Sequence, residues 1–222
     1  MDAQALQLSL SLAACTVLIL APLGVFAGRA LARAQFRGKA LVEALLALPL
    51  VLPPTVIGYY LLVGVGGGSL AGRAWERLTG HGLVFHFEGL VVASLIVNIP
   101  FVVQPIQRAF AAIPADLREA GACAGLSPLA LLWRLELPLA WPGIVLGLTL
   151  AFAHTLGEFG VVLMVGGSIP GETKTLAVSL YDRVEAFDLA GAQAMAVQLS
   201  ALAAAALALA YALSARVGRT DG

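Results

Sequence analysis

Five long apolar runs separated by short polar segments dominate the pattern of this chain. The runs cover residues 6–32, 41–63, 89–107, 139–165 and 189–215. A helix needs about 20 apolar residues to cross the hydrocarbon core of a bilayer, which is about 30 Å thick. Because a helix satisfies its own backbone hydrogen bonds in lipid, we expect all five runs to be transmembrane helices.

The composition is that of a protein solvated mostly by lipid. Hydrophobic residues make up 60% of the 222 residues, only 12% are charged, and the mean hydropathy is +0.92. A soluble domain has about 25% charged residues, so a soluble class is excluded. We therefore predict an all-α integral membrane fold, forming one domain over residues 1–222 with little mass outside the bilayer.

Basic residues are distributed unevenly among the segments that connect the runs. Nine follow the first, third and fifth runs: Arg29, Arg33, Arg37, Lys39, Arg108, Arg118, Arg134, Arg216 and Arg219. The other connections hold four: Arg73, Arg77, Lys174 and Arg183. Cytoplasmic segments carry the excess of Lys and Arg, so residues 115–137 are expected inside and residues 168–188 outside. With five spans, the N-terminus is then outside and the C-terminus is cytoplasmic.

The fourth run is interrupted by small and charged residues. Gly157, Glu158 and Gly160 lie within it. They could mark a re-entrant turn, or they could separate a short helix from a longer one. Whether residues 157–167 complete the fourth span stays open at this point.

The polar stretch between the third and fourth runs carries strong helix punctuation. Asp116 can cap a first helix, and Gly125 suits the left-handed position after its end. Ser127 and Pro128 restart the chain as a cap and a first helical residue, and Pro138 is expected to end the second helix. The stretch, about residues 115–138, is therefore predicted to be a helix-turn-helix lying across the membrane surface.

Small residues leave one surface of this helix-turn-helix nearly free of side-chain bulk. They are Ala120, Gly121, Ala122, Ala124 and Gly125. A groove on another protein could close directly on such a backbone. The alternative is an interfacial amphipathic loop that only covers helix ends.

Prolines and an asparagine inside the runs are candidates for a transport path. The second run contains Pro49, Pro53 and Pro54, with Thr55 directly after them. Proline removes a backbone donor and bends a helix, so this run could line a cavity and change shape, or could form a static kink. Asn98 in the third run could contact a solute or bond a neighbouring helix.

His154 and Glu158 are one helical turn apart, so they can pair on one face. A carboxylate at mid-bilayer costs about 2.5 to 3.5 kcal/mol on insertion scales, which makes Glu158 a functional candidate. Since it would repel a dianion, we expect it to fix a kink beside a gate, with His154 or a backbone amide as partner. The rival interpretations are a membrane enzyme that uses this pair as acid and base, and a scaffold subunit without a pathway.

Catalytic and metal chemistry find little support in the sequence. The chain has no Gly-rich phosphate loop, no HExxH pattern and no paired carboxylates within a run. His81, His86 and Glu88 lack a firm ligand spacing and are expected to be surface loop residues. We predict no catalytic site, no metal site and no cofactor bound by this chain.

The polar stretch resembles the coupling loop of the permease subunits of ABC importers. That pattern is Glu-Ala-Ala, three residues, Gly, nine residues, Ile, one residue and Leu-Pro. The same spacing joins Glu119, Ala120, Gly121, Gly125, Leu135, Leu137 and Pro138. Only Gly121, in place of the second Ala, and Leu135, in place of Ile, depart from it.

The resemblance covers most of the chain and is to the permease subunit of molybdate importers. The segments from Arg37 to Leu62 and from Leu156 to Leu176 are similar to it as well. It implies the type I ABC importer permease fold, a homodimer with a central pathway, two cytoplasmic ATPase subunits and an extracytoplasmic oxyanion-binding protein. ATP and Mg²⁺ would be bound by the ATPase. Molybdate or tungstate is the implied solute, sulfate is the alternative, and no nucleic-acid partner is implied.

The resemblance also implies a location in the bacterial inner membrane, and together with the residues themselves it leads to three sets of candidates. ATPase coupling is expected at Glu119, Ala120, Gly121, Gly125, Leu135, Leu137 and Pro138. Pathway or gate candidates are Pro53, Pro54, Thr55, Asn98, His154 and Glu158. Lys174 and Arg183 lie among four acids in the outer segment, residues 168–188, a mixture suited to docking the binding protein rather than to holding a free dianion.

Overall fold

A computed structural model describes residues 2–217, and its regular structure is helical. The helices are α1 Ala3–Arg33, α2 Lys39–Val51, α3 Pro54–Val65, α4 Leu70–Thr79, α5 Phe87–Ala111, α6 Ala115–Cys123, α7 Pro128–Leu131, α8 Leu137–Gly157, α9 Gly160–Gly166, α10 Leu176–Glu185 and α11 Leu189–Val217. A π-helical turn, Leu132–Glu136, joins α7 to α8 without a break.

Among the described residues, four helices are long and apolar enough to cross a bilayer. They are α1, α5, the continuous helix Pro128–Gly157 and α11 over Leu189–Leu209. The pair α2 and α3 passes the same test together, although it bends by 109° at Leu52 and Pro53. The predicted fold class, all-α with about five membrane spans, is confirmed.

Helices α1, α5 and α8 form the centre of the bundle, and glycines bring them close together. A Cβ added at Gly24 would lie 2.3 Å from Val102, and one at Gly28 would lie 2.7 Å from Ile106. Four residues further along α1, the contact lies four residues further along α5, so the two helices run parallel. A Cβ on Gly147 of α8 would lie 3.0 Å from the carbonyl oxygen of Val102. Small residues allow the backbones to approach this closely. In a bilayer the hydrophobic effect does not hold helices together, and van der Waals packing of this kind does so instead.

Parallel α1 and α5 require the chain between them to return across the bundle, and the bent pair does so. Glu43 of α2 accepts a hydrogen bond of 2.6 Å from Gln107, near the C-terminal end of α5. Ile57 of α3 packs with Ala93, near the N-terminal end of α5. The pair therefore makes one crossing in spite of its bend.

The N-terminus and the end of α11 lie at opposite ends of the bundle. Along α11, Met195 packs near Ala5 and Leu209 near Val17, so α11 runs in the same direction as α1. The N-terminus and the outer segment lie at the same end of the bundle, where Ser179 donates a hydrogen bond to Asp2. The polar stretch lies at the other, with Arg29 and Arg33. The predicted contribution of Arg219 to this end lies outside the described residues.

Two boundary expectations need correction. The helix does not end at Pro138. Instead the π-helical turn carries it into α8, where Pro138 is the second residue. The N–H of Leu137 bonds the carbonyl oxygen of Leu132, five residues earlier, so the regular bonding pattern that a proline interrupts is already changed at this point. Asp116 does not cap α6, which begins after Pro114 without a side-chain cap.

The open question at residues 157–167 is resolved: α8 ends at Gly157 and α9 is a separate short helix.

Candidate coupling segment and translocation path

The coupling segment, residues 115–138, consists of α6, α7, the π-helical turn and the first two residues of α8. Gly125 has φ of +83°, so it takes the left-handed conformation that favours glycine after a helix. The Ser127 hydroxyl accepts a hydrogen bond of 3.2 Å from the backbone N–H of Ala130, and Pro128 is the first residue of α7. These local features are the ones that the sequence predicts.

The exposed face of the coupling segment differs in one residue from the predicted one. Glu119, Ala120 and Gly125 are exposed. Gly121 is buried, and a Cβ at this position would lie 2.8 Å from Cδ1 of Leu131. Gly121 therefore packs inward against α7 and is not part of a surface open to a partner. Further along, Leu135 and Leu137 are half-buried and Pro138 is exposed.

Glu136, which sequence reasoning passed over, has the most constrained side chain in this region. It is completely buried. Its Oε2 accepts a hydrogen bond of 2.7 Å from Nε of Arg29, and its other oxygen pairs with Arg33. The available signal was an acid at the start of a span, together with two arginines one turn apart at the end of another.

Two spans are broken at the same depth of the bundle, and the breaks are in contact. The chain is broken before Pro54 in one span and around Glu158 in the other. Gly160 packs on Pro54, and Gly58 packs on Met164. Helices α3 and α9 leave the two breaks side by side and in the same direction. Pro53, Pro54 and Thr55 are nevertheless exposed.

Glu158 connects α8 to α9. Its Oε1 accepts a hydrogen bond of 3.0 Å from the backbone N–H of Val161, in the first turn of α9. The other oxygen lies 3.5 Å from Nε2 of His154, whose ring stacks on Phe101 with centroids 4.3 Å apart. Both expected partners of Glu158 are thus present. The arrangement supplies an acceptor to one of the N–H groups that a helix leaves unpaired at its start.

Asn98 faces other helices rather than an open path. It is completely buried, and its amide nitrogen donates to the carbonyl oxygen of Ser94 at 2.8 Å and to the hydroxyl of Thr155 at 3.1 Å. The Thr16 hydroxyl of α1 donates to the Ser94 hydroxyl at 2.8 Å. This hydroxyl and amide network joins α1, α5 and α8 inside the bundle.

Two cavities share side chains of α5 that sequence reasoning also missed. They measure about 230 Å³ and about 380 Å³, and both are lined by Gln104 and Arg108. Glu43 of α2 lines the smaller cavity and Gly143 of α8 the larger. Within residues 2–217, no acid lies within ion-pair distance of Arg108. A cation and an amide therefore face open space near the end of the bundle that holds the coupling segment.

The basic residues of the outer segment are both paired within the chain. Lys174 lies 2.6 Å from Asp182, and Arg183 pairs with Asp188. Asp188 also accepts a hydrogen bond of 3.0 Å from the N–H of Gly191, in the first turn of α11. This backbone hydrogen bond and then the Arg183 partner hold the pKa of Asp188 below its usual value.

Metal ligands do not cluster in the described part of the chain: no group of three or more His, Cys, Asp or Glu side chains there could hold an ion. The rings of His81 and His86 lie together, with centroids 4.6 Å apart. Each ring nitrogen Nδ1 is near a backbone carbonyl oxygen of its own loop, Gly82 and Val84 respectively. These contacts are those of a packed loop.

Residues 21–219 match the family described as binding-protein-dependent transport system inner membrane component. The chain belongs to this family. It is therefore a multi-pass membrane component of a transport system and not an enzyme, so the interpretation of His154 and Glu158 as a catalytic acid and base is wrong.

Individual relatives of this permease cover most of its length. The molybdenum transport system permease protein ModB of Azotobacter vinelandii is 45% identical over 195 residues, which are 88% of this chain and 86% of that protein. ModB of Escherichia coli K12 is 37% identical over 182 residues, 82% and 80% of the two chains. The probable sulfate transport system permease protein cysT of Chlorokybus atmophyticus is 34% identical over 169 residues, 76% of this chain and 59% of that protein.

The permease also shares its fold with a solved transporter. A chain in the crystal structure of a bacterial alginate ABC transporter, in complex with an alginate pentasaccharide-bound periplasmic protein, superposes with a TM-score of 0.76. The match covers 96% of this chain and 78% of that chain at 14% identity. The ABC importer permease fold is thus confirmed.

Proposed function

We propose that this chain is the permease subunit of an ATP-driven molybdate importer, acting as a homodimer with two cytoplasmic ATPase subunits and an extracytoplasmic binding protein. The observation that carries the proposal is the 45% identity, over most of both chains, to a permease named for molybdenum transport. ATP and Mg²⁺ belong to the ATPase subunits in this proposal. The permease supplies the path and the surface on which the ATPase acts.

The coupling segment is the surface that we propose for the ATPase. Its exposed face combines small residues, Ala120 and Gly125, with the apolar side chains of Leu117, Leu129 and Trp133. Leu129 is 64% exposed and Trp133 is 65% exposed. Large apolar side chains flanking a surface without bulk suit a partner that closes on the backbone, because aromatic and aliphatic anchors contribute most to such interfaces.

Ala120→Leu tests this surface, and Ala112→Leu is the matched control. Both residues are exposed at the same end of the bundle, but Ala112 directly follows α5 and lies outside the coupling segment. The tagged permease, purified from its native membrane, should recover an ATPase in the wild type and in Ala112→Leu. Ala120→Leu should lose at least tenfold in recovered ATPase and stimulated ATP hydrolysis. Normal recovery with Ala120→Leu would contradict the proposed surface.

Molybdate, tungstate and sulfate are tetrahedral dianions, so the solute has to be tested directly. Uptake of labelled molybdate into cells that express the importer should fall when unlabelled molybdate or tungstate is added, and should be little affected by equal sulfate. The sulfate alternative has support from the 34% identity to a sulfate permease. Stronger competition by sulfate than by tungstate would favour that alternative.

We propose that the end of the bundle with the coupling segment faces the cytoplasm, because it carries Arg29, Arg33, Arg108, Arg118 and Arg134. The N-terminus then lies outside and the C-terminus inside. Single cysteines introduced by Ala124→Cys and Ala186→Cys, in a background without Cys15 and Cys123, test this orientation; both positions are exposed. An impermeant thiol reagent should label only the second in intact cells. Labelling of only the Ala124→Cys variant would show that the orientation is the reverse of the proposed one.

We propose that the outer segment docks the binding protein. Direct contact by Lys174 and Arg183 stays a prediction, and their pairing with acids of this chain reduces the charge that they offer. Lys174→Glu alone breaks the pair with Asp182, whereas Lys174→Glu with Asp182→Lys restores a pair of opposite polarity. If Lys174 only holds the surface in shape, the double variant docks normally in a pull-down. If it contacts the partner, both variants fail to dock.

A further inference from the structure

The carboxylate of Glu136 lies between two arginines at the junction of three structural elements. Glu136 is completely buried, whereas the side chains of Arg29 and Arg33 are 23% and 33% exposed. A buried carboxylate without a partner is strongly unfavourable, so the position of Glu136 is fixed by the two cations. We call these three residues the ionic joint.

The ionic joint spans from the coupling segment to the first helix of the bundle. Glu136 is the last residue of the π-helical turn that links α7 to α8. Arg29 and Arg33 occupy the last two turns of α1. Short π-helical segments inside longer helices are rare and often lie at functional sites.

Apart from the chain itself, which enters the coupling segment from α5 and leaves it into α8, the other contacts of this segment with the described part of the bundle are apolar. Leu132 of the π-helical turn packs in the core cluster with Phe110 and Ile113, at the end of α5. Apolar contacts are not directional, so surfaces joined by them can shift past each other. A charge-assisted hydrogen bond between guanidinium and carboxylate has a fixed geometry. Among the non-covalent contacts within residues 2–217, the ionic joint is the directional one.

We propose that the ionic joint passes displacement of the coupling segment to α1, with Glu136 as a positioning residue. This inference rests on the proposed coupling to an ATPase. Without the joint, the ATPase would still bind and hydrolyse ATP, but α1 would no longer follow the coupling segment. The joint thus sets how many ATP molecules are hydrolysed for each molybdate ion imported.

The test variants remove the charges of the ionic joint but keep side chains of similar volume in its place. The triple variant Arg29→Met, Arg33→Met and Glu136→Leu fills the same volume with apolar groups, a change that is often neutral or stabilising for buried ion clusters. Glu136→Gln keeps the shape and removes the charge. Lys39→Met is the control, because Lys39 is paired only loosely, 3.8 Å from Glu43, at the same end of the bundle. All are measured as the full importer in proteoliposomes.

Both joint variants should assemble with the ATPase and hydrolyse ATP, with the ratio of ATP hydrolysed to molybdate imported raised at least fivefold over wild type and Lys39→Met. An unchanged ratio in either joint variant would overturn the inference. A triple variant that does not assemble would also overturn it, because the joint would then be needed for folding. Failure of the proposed function is distinguishable, since the wild type itself would then show no ATP-dependent uptake.

Discussion

Gly160 packs directly on Pro54, so the breaks in two membrane spans meet at one point: a Cβ at position 160 would lie 2.8 Å from the Cβ of Pro54. The proline ring is rigid and cannot move aside within its own helix turn. The short helices α3 and α9, which leave the breaks side by side, are therefore held together at their starts. We interpret this contact as the point that fixes the two short helices to each other.

Gly160→Ala should disturb this contact. The added methyl group overpacks a rigid contact, which lowers the free energy of unfolding by about 1 to 3 kcal/mol, and molybdate uptake should fall with it. Gly157→Ala is the control, because a Cβ at that position has no atom within 4 Å. Thermal unfolding in detergent and uptake in cells give the two measurements. Equal behaviour of the two variants would contradict the interpretation.

Glu158 should be replaceable by glutamine but not by alanine. Glu158→Gln keeps an acceptor for the N–H of Val161, whereas Glu158→Ala leaves that group unpaired inside the membrane, at a loss of about 1 to 3 kcal/mol. Uptake should be close to wild type in the first variant and clearly reduced in the second. Loss of uptake in Glu158→Gln with normal stability would instead assign a role to the charge.

The same substitution at two glycines of the coupling segment should have opposite effects. Gly121→Ala gains helix propensity of up to about 1 kcal/mol, and the atom that it meets is the flexible end of Leu131. Gly125→Ala places a side chain at φ of +83°, which is unfavourable by about 1 to 2 kcal/mol. Thermal unfolding should show a higher midpoint for the first and a lower one for the second. Two shifts of equal sign would not fit this geometry.

The junction of α10 and α11 should be insensitive to pH until strongly acidic conditions. Because the pKa of Asp188 is lower in the folded protein than its usual 3.8, its stabilising effect is complete above that value and is lost as the pH falls through the folded pKa. Amide hydrogen exchange in the first turn of α11, corrected for the intrinsic rate, should match at pH 7 and pH 5 and rise only below about pH 4. Asp188→Asn, which keeps an acceptor but cannot titrate, should lack that acidic rise.

The spans were predictable because bilayer thickness fixes the length of an apolar run, whatever the helices pack against. The punctuation at Gly125 and Ser127 was predictable for a similar reason, since it depends on the local backbone. The close contact of α1 with α5 also has a local signal, the spacing of Gly24 and Gly28 four residues apart, which is typical of packed membrane helices.

Orientation of individual side chains was not predictable in the same way. Gly121 belongs to a run of small residues, and only the position of Leu131 shows that it faces inward. Glu136 lies two residues after Arg134 at the start of a membrane span, where exposure of a charged side chain is the ordinary expectation; its burial depends on arginines more than a hundred positions earlier. Pro138 predicts a helix end from its own geometry, but a π-helical turn before it lets the helix continue.

Two hydroxyl groups of α1 indicate the order in which the helices come into contact during synthesis. Ser9 accepts from the N–H of Leu176, 167 positions later, and Thr16 bonds Ser94, 78 positions later. At a synthesis rate of about 5 to 20 residues per second, Ser9 waits roughly 10 to 30 s for its partner. The Thr16 hydroxyl also bonds the carbonyl oxygen of Leu12 in its own helix at 2.8 Å, and that acceptor exists before Ser94 is made. The first helix can therefore enter the bilayer alone, and its assembly with α10 is completed only late in translation.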